Sequence, residues 1–63
     1  MNNSFIKLTL FNTLVTDKDI YLSVNKIVSI EKKPNFTLIR LLGNLIEEVE
    51  ESPEDVIDKI NKL

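Results

Sequence analysis

The sequence predicts an α+β fold that is mainly β, with a small antiparallel sheet of four to five strands and one C-terminal helix. Alanine, the strongest helix former, is absent from the 63 residues, whereas Ile, Leu, Val and Thr are abundant. Apolar and polar residues alternate through much of residues 5–50, and helical spacing appears only over residues 53–62. The length predicts a single small domain, residues 1–63.

Alternation marks most of the strands. They are predicted at residues 5–11, 20–24, 27–31, 37–42 and 45–50. In the third strand Val28 and Ile30 alternate with polar residues, so both are expected on one face. The polar segment 12–19 is predicted to be a loop or long turn, into which Leu14 and Val15 could extend a strand.

Two turn signals join the later strands. Pro34 fixes φ at the first central turn position, and Asn35 is tolerated at the second. Gly43 and Asn44 predict a two-residue hairpin turn, because primed turns require positive φ. The return strand after them carries both apolar and acidic residues on each face, which predicts an edge strand protected by its charges. The pattern fits both an open sheet and a partly closed barrel.

The final segment has the features of a helix over residues 53–62. Ser52 is a suitable N-cap, Pro53 suits the first helical position, and Asp55 can complete a capping box. A helix this short must dock on the sheet to persist in water. The apolar positions at helical spacing, expected to face the sheet, are Val56, Ile57, Ile60 and Leu63.

The residue inventory excludes several kinds of site. Cys and His are absent, which removes disulfides, thiol and imidazole catalysis, and the usual zinc ligands. Gly43 is the single glycine, so a glycine-rich loop that cradles phosphate is excluded as well. We therefore expect no enzymatic activity, no catalytic residue, no metal ion and no cofactor.

Charge is distributed unevenly along the chain. Residues 1–40 carry six basic and three acidic side chains, a net +3, whereas residues 41–63 carry two basic and seven acidic side chains, a net −5. One Arg, no Trp and an overall charge of −2 disfavour nucleic-acid binding. No apolar stretch is long enough to span a bilayer, and the first residues lack signal-peptide features, so we expect no membrane insertion and a cytoplasmic location.

Aromatic and acidic side chains together are the predicted interaction surface. The aromatic residues lie on the strand face opposite the aliphatic one; a barrel would bury them in part, and an open sheet would leave them for a partner. The acidic residues are also explained by a solvated, charge-protected edge strand. We expect contact with a protein partner or with a second copy, as a homo-oligomer. The seven residues are Phe5, Phe11, Tyr21, Glu47, Glu48, Glu50 and Glu51.

Several short elements of the sequence occur in the order found in a known family. They are Lys7-Leu8-Thr9 with Asn12, Val24-Asn25, Ile27, Ile30-Glu31, Pro34, Thr37-x-Ile39-x-Leu41-x-Gly43, and Val49-x-Glu51-Ser52-x-Glu54-x-Val56-x-x-x-Ile60. Through them most of the chain resembles the FlbD/SwrD family, small bacterial proteins associated with flagellar gene clusters and swarming motility. The sequence departs from the family at Asn12-Thr13, which opens a longer insertion than the usual tight turn, and at Glu50, where a basic residue is common.

The resemblance implies a non-enzymatic accessory protein, because the family has no known catalytic residues to carry over. Similar short chains in phage and prophage regions give an alternative interpretation. In that alternative, the chain is a mobile-element protein that binds and blocks a host protein or sequesters a ligand.

Overall fold

The computed structural model describes residues 4–11, 14 and 16–63. Along the chain lie β1 (Phe5–Thr9), β2 (Asp19–Ser23), a 3₁₀ turn (Val24–Lys26), β3 (Ile27–Lys32), β4 (Thr37–Leu41), β5 (Leu45–Val49) and α1 (Pro53–Asn61). Every strand pair is antiparallel; β1 and β2 form one small sheet, and β3, β4 and β5 form another in that order. The predicted α+β class, mainly β with one C-terminal helix, is confirmed.

The loop predicted between the first two strands falls partly outside the described residues. Residues 12, 13 and 15 are among those not described, so the strand extension considered at Val15 lies outside them. Leu14 is described, lies in no strand and is fully exposed. The alternative strand through Leu14 is therefore wrong.

A backbone junction joins the two sheets. Leu10 forms an isolated antiparallel bridge with Val49. The Phe11 N–H donates to the Glu48 carbonyl at 2.9 Å, and the Glu50 N–H donates to the Thr9 carbonyl at 2.8 Å. The strands thus follow one another in the order β2-β1-β5-β4-β3. The 3₁₀ turn connects β2 to β3, and no ladder joins the described residues of these two strands.

The core lies where the two sheets and α1 meet. Its buried members are Ile6, Leu8, Ile39, Val49 and Val56, and the partly buried residues packed against them are Ile20, Leu22, Val24, Ile27, Ile30, Leu41 and Ile60. Within β1 and β2 the inward residues are the aliphatic ones that the alternation predicts. The helix contributes Val56, which is fully buried.

The third strand departs from the predicted alternation at Val28. The pairing with β4 shifts between Ile27 and Ser29, so Val28 is the extra residue of a β-bulge. As a result Ile27 and Ile30 both pack on the core, while Val28 remains 60% exposed. The prediction that Val28 and Ile30 share a face is wrong, because a one-residue slip exchanges the faces of a strand.

The turn between β4 and β5 has the positive φ angles that the sequence predicts for a primed turn. Gly43 has φ of 85° and Asn44 has φ of 63°. Asn is among the few residues other than glycine that adopt this left-handed region readily. The register pairs Leu41 with Leu45, so the loop contains three residues, 42–44, and not the predicted two.

The helix begins as predicted and ends one residue earlier. The Asp55 N–H donates to the Ser52 hydroxyl oxygen at 3.1 Å, and Pro53 occupies the first turn. Val56 and Ile60, one turn apart, face the core. Ile57 is 48% exposed because its position is rotated by about 100° from Val56 around the helix axis. Leu63, also predicted on the core face, lies beyond the helix and is exposed.

Replacing Val56 with Ala should lower the free energy of unfolding by about 2–3 kcal/mol, because it removes two methyl groups from a fully buried position. Ile57→Ala on the exposed side of the same helix turn is the matched control and should cost less than about 1 kcal/mol. Urea unfolding followed by circular dichroism measures both values. Equal losses would contradict the assignment of Val56 as the helix residue that anchors the core.

Candidate interaction surface

The four glutamates of the predicted surface differ in exposure and in their contacts. Glu47 lies on the inner side of β5 with Val49 and is half-buried, whereas Glu48 and Glu50 are exposed. Glu51 makes contacts within the protein. The predicted acidic surface therefore reduces to the carboxylates of Glu48 and Glu50.

Glu51 binds Thr9, which lies 42 residues away in the sequence. Its Oε1 accepts the Thr9 backbone N–H at 2.9 Å, and its Oε2 accepts the Thr9 hydroxyl at 2.9 Å. In an antiparallel ladder the Thr9 N–H would donate to the Glu50 carbonyl, in return for the bond from the Glu50 N–H. The Glu51 carboxylate takes the place of that carbonyl where the chain leaves β5 and turns toward α1.

Phe11 is a packing residue of the outer face. Its ring stacks on Phe36 with a centroid separation of 5.1 Å and a tilt of 31°. Leu38 is only 7% exposed although it alternates with inward-facing residues, and Phe36 lies two residues before it on the same face. Phe11 and Phe36 therefore pack on each other outside the main core, on the face of the sheet to which Leu38 belongs. The ring of Phe11 is half-buried there, away from the other two aromatic residues of the predicted surface.

Phe5 and Tyr21 form an exposed aromatic face on β1 and β2. Their side chains are 54% and 64% exposed. They lie on the same side of the sheet, since Phe5 is opposite Ser23 and Tyr21 is two residues from Ser23. The Lys7 ammonium lies 3.5 Å from the Asp19 carboxylate on this same side. Of the three aromatic residues in the predicted surface, these two are available to a partner.

A third surface, which the sequence analysis did not identify, lies at the turn end of the three-stranded sheet. We call it the hairpin patch, and its residues are Val28, Leu42, Leu45 and Ile46, each more than half exposed. They line one open depression of about 290 Å³, together with Arg40 and the turn residues. A signal was present in the sequence, because two consecutive apolar residues in a strand cannot both face the same core. The pairs Leu41-Leu42 and Leu45-Ile46 have this property.

The charge of Arg40, beside the hairpin patch, is balanced locally. Its Nε donates to Glu31 Oε2, which also accepts the Ser29 hydroxyl at 3.0 Å. The Lys33 ammonium lies 3.6 Å from the other Glu31 oxygen. These interactions lower the pKa of the Glu31 carboxyl below its usual value of 4.5. The hydrogen bond from Arg40 contributes most, followed by the hydrogen bond from Ser29. The patch therefore presents a mainly apolar surface with a neutralised cation at its side.

Replacing Glu51 with Ala should lower the free energy of unfolding by about 2 kcal/mol, because the Thr9 N–H then loses a charged acceptor in a partly buried place. Thr9→Val removes only the hydroxyl bond and should cost about 1 kcal/mol. Glu50→Ala is the control; it removes an exposed carboxylate and leaves the backbone bond of the junction in place. Urea unfolding measures all three. A loss for Glu50→Ala as large as that for Glu51→Ala would contradict this role.

The Glu31 carboxyl should titrate below the usual range, and Arg40→Gln should raise its pKa more than Ser29→Ala does. A carboxyl with a lowered pKa stabilises the folded state above its unfolded pKa, and that contribution disappears as the pH falls through the folded pKa. Glu31→Gln should therefore flatten the acid limb of stability below about pH 5. Carboxyl NMR shifts and thermal unfolding against pH measure the two effects. A larger shift for Ser29→Ala than for Arg40→Gln would reverse the assigned order of causes.

The part of the chain that the structure describes contains no group of three or more acidic side chains arranged to hold a metal ion. Across those same residues, no helix combines the length and the apolar character that crossing a bilayer requires. Comparison of the chain with models of known protein families, with curated protein sequences and with solved structures finds no match. The resemblance to the FlbD/SwrD family thus rests on the sequence elements quoted above.

Proposed function

We propose that this chain is a non-enzymatic protein-interaction module, an accessory to a larger assembly, as its resemblance to the FlbD/SwrD motility-associated proteins implies. The observation that carries the proposal is the hairpin patch. Four large aliphatic side chains on a 63-residue domain remain more than half exposed and line one depression. Contiguous apolar surface of this kind marks an interaction site on a soluble protein.

The chemistry of the patch favours a protein surface as its occupant. Burial of apolar area would provide the binding energy, at roughly 25 cal/mol per Å² before the costs of association. Arg40 beside the patch is already paired with Glu31, so a partner need not supply a compensating charge. An apolar side chain or helix edge that enters the depression meets these requirements.

The non-enzymatic part of the proposal is supported by what the polar side chains do. The Ser29 hydroxyl donates to Glu31, and the Ser52 hydroxyl caps α1. With no His or Cys in the chain, a serine nucleophile would need a lysine or carboxylate base beside it. The Glu51 carboxylate, a candidate base, is engaged by Thr9.

The alternative is a mobile-element protein that binds and blocks a host protein. One observation favours it: the exposed carboxylates Glu48, Glu50, Glu54 and Asp55 lie along β5 and the start of α1. An acidic surface next to an apolar one suits a basic, partly apolar site on a host protein.

Leu42→Ser with Leu45→Ser tests the hairpin patch. Both side chains are more than half exposed, so the double variant should fold with an unfolding free energy within about 1 kcal/mol of the parent. Ile57→Ser with Leu63→Ser removes two exposed apolar side chains elsewhere and is the matched control. In the source organism with the gene deleted, expression of the control variant should restore the function that the deletion removes, and expression of the patch variant should not.

The same strains separate the two functions. Loss of swarming or swimming on deletion supports the motility role, and normal motility contradicts it in favour of the host-blocking alternative. A photoactivatable residue at position 45 should cross-link the partner, and one at position 63 should not. Full activity of the patch variant would show that the hairpin patch is not the contact surface.

A further inference from the structure

We propose that two copies of this chain pair through the free edge of β2, antiparallel and with a two-fold axis at Tyr21. The pairing would join two β1–β2 sheets into one four-stranded sheet. It is independent of the hairpin patch, which lies on the other sheet. It rests on the backbone groups of β2 that have no partner among the described residues, on the residue pattern of the strand and on its charges.

The hydrogen-bond pattern shows which backbone groups face the free edge. The Leu10 N–H donates to the Lys18 carbonyl at 2.7 Å, and the Val24 N–H donates to the Ser4 carbonyl at 2.9 Å. The even-numbered residues of β2 therefore bond to β1, and the odd-numbered residues point away. The outward residues are Asp19, Tyr21 and Ser23.

Two of the six outward groups have partners within the chain. The Asp19 N–H donates to its neighbour Asp17 Oδ1 at 3.1 Å. Ser23 is the N-cap of the 3₁₀ turn, so its carbonyl accepts the first bond of that turn. Among the described residues, no acceptor is found for the N–H groups of Tyr21 and Ser23, and no donor for the carbonyls of Asp19 and Tyr21.

A two-fold axis at Tyr21 matches these remaining groups to one another. The Tyr21 N–H of each copy donates to the carbonyl of the partner's Tyr21. The Ser23 N–H donates to the carbonyl of the partner's Asp19. Four hydrogen bonds form, and the groups that this register leaves out, the Asp19 N–H and the Ser23 carbonyl, are those already satisfied inside each copy.

The side chains of β2 are compatible with this register on both faces. Ile20 lies opposite the partner's Leu22, and both side chains are inward-facing but only half-buried on the open edge. Their contact would continue the apolar inner row from one copy to the next. On the outer face the two Tyr21 side chains lie side by side, and Asp19 meets the partner's Ser23 rather than an acid.

The charges at the two ends of β2 are complementary in an antiparallel pair. Residues 17–19 carry two acids and one lysine, a net −1, whereas residues 23–26 carry Lys26 and no acid. Antiparallel pairing places the acidic end of one copy opposite the basic end of the other. This complementarity favours a second copy over an unrelated strand, because residues 17–26 of each copy supply both the acidic and the basic end.

The other strand edges are protected. Over Thr9–Phe11 the chain covers the outer edge of β5. The free edge of β3 carries the bulge at Val28 and the exposed Lys32, two features that discourage strand addition. Residues 19–23 contain no bulge, proline or lysine. Among the described strands, β2 is therefore the edge open to pairing.

A chain of this length can be made by chemical synthesis, so one backbone N–H can be removed without changing a side chain. The parent should sediment as a dimer at millimolar concentration and dissociate on dilution. N-methylation of Tyr21 should weaken dimerisation by at least about tenfold, because two symmetric hydrogen bonds are lost. N-methylation of Lys32, whose N–H points outward from β3, is the control and should leave dimerisation unchanged. A parent that stays monomeric, or equal dimerisation of both analogues, would overturn the proposal.

Cysteine cross-linking is a second measurement that does not depend on the analogues. The chain has no Cys, so Tyr21→Cys introduces a single thiol at the two-fold axis. Opposed residues there have Cα atoms about 5.5 Å apart, within the range that a disulfide spans. Lys7→Cys, on the neighbouring strand of the same face, is the control; its two copies would lie about 14 Å apart. Mild oxidation should give a covalent dimer for Tyr21→Cys much faster than for Lys7→Cys, and equal rates would contradict the register.

Discussion

The contact between residues 9–11 and 48–50 holds the two sheets around one core. A two-stranded hairpin such as β1–β2 is marginally stable by itself, and its inward residues need a surface to pack on. The bridge from Leu10 to Val49 brings that hairpin against β5, where Val49 is itself fully buried. The carboxylate of Glu51 extends the contact, because it accepts the Thr9 N–H in place of the Glu50 carbonyl. Without this contact, Ile6 and Leu8 would lose β5 as a neighbour and would have only β2 and α1 beside them.

The same few residues also determine how α1 is placed. The Glu51 carboxylate binds Thr9, Ser52 caps the helix, and Val56 lies in the core one helical turn after Ser52. The acidic residues in this stretch are therefore not equivalent. Glu51 orders the chain between sheet and helix, while Glu50, its neighbour, is exposed and contributes its backbone N–H. A negative charge at the start of α1 also suits the positive end of the helix dipole.

The local patterns in the sequence predicted most of the secondary structure. Alternation identified the inward residues of β1 and β2, and Ser52 with Pro53 identified the start of α1, because these signals depend on neighbours in the chain. The bulge at Val28 was not predicted, since it depends on pairing with β4.

The candidate surface was harder to predict, because exposure depends on which strands come together. The alternation placed Phe11 on the outer face correctly. Its partial burial, however, depends on contact with Phe36, which lies directly before β4. Glu51 looked like one more acid in a run, and its role requires Thr9 from the opposite end of the domain. The exposed residues Leu42 and Leu45 lie at the end of the sheet, beyond the region where the core packs. The consecutive apolar pairs indicate that one residue of each pair faces outward, but not that the exposed residues line one depression.

The late position of Val56 has a consequence for the order of folding. The helix side chain that completes the core follows all five strands in the chain, and the bond between Glu51 and Thr9 joins residues that lie 42 positions apart in the sequence. Neither contact can form until all five strands have been synthesised. Earlier strands can pair locally, but the hairpin β1–β2 must wait for β5 and α1. Folding dominated by such distant contacts is slow for a chain of this size, because loop closure precedes the stabilising packing. On the ribosome the domain therefore acquires its stable form only after the helix has emerged.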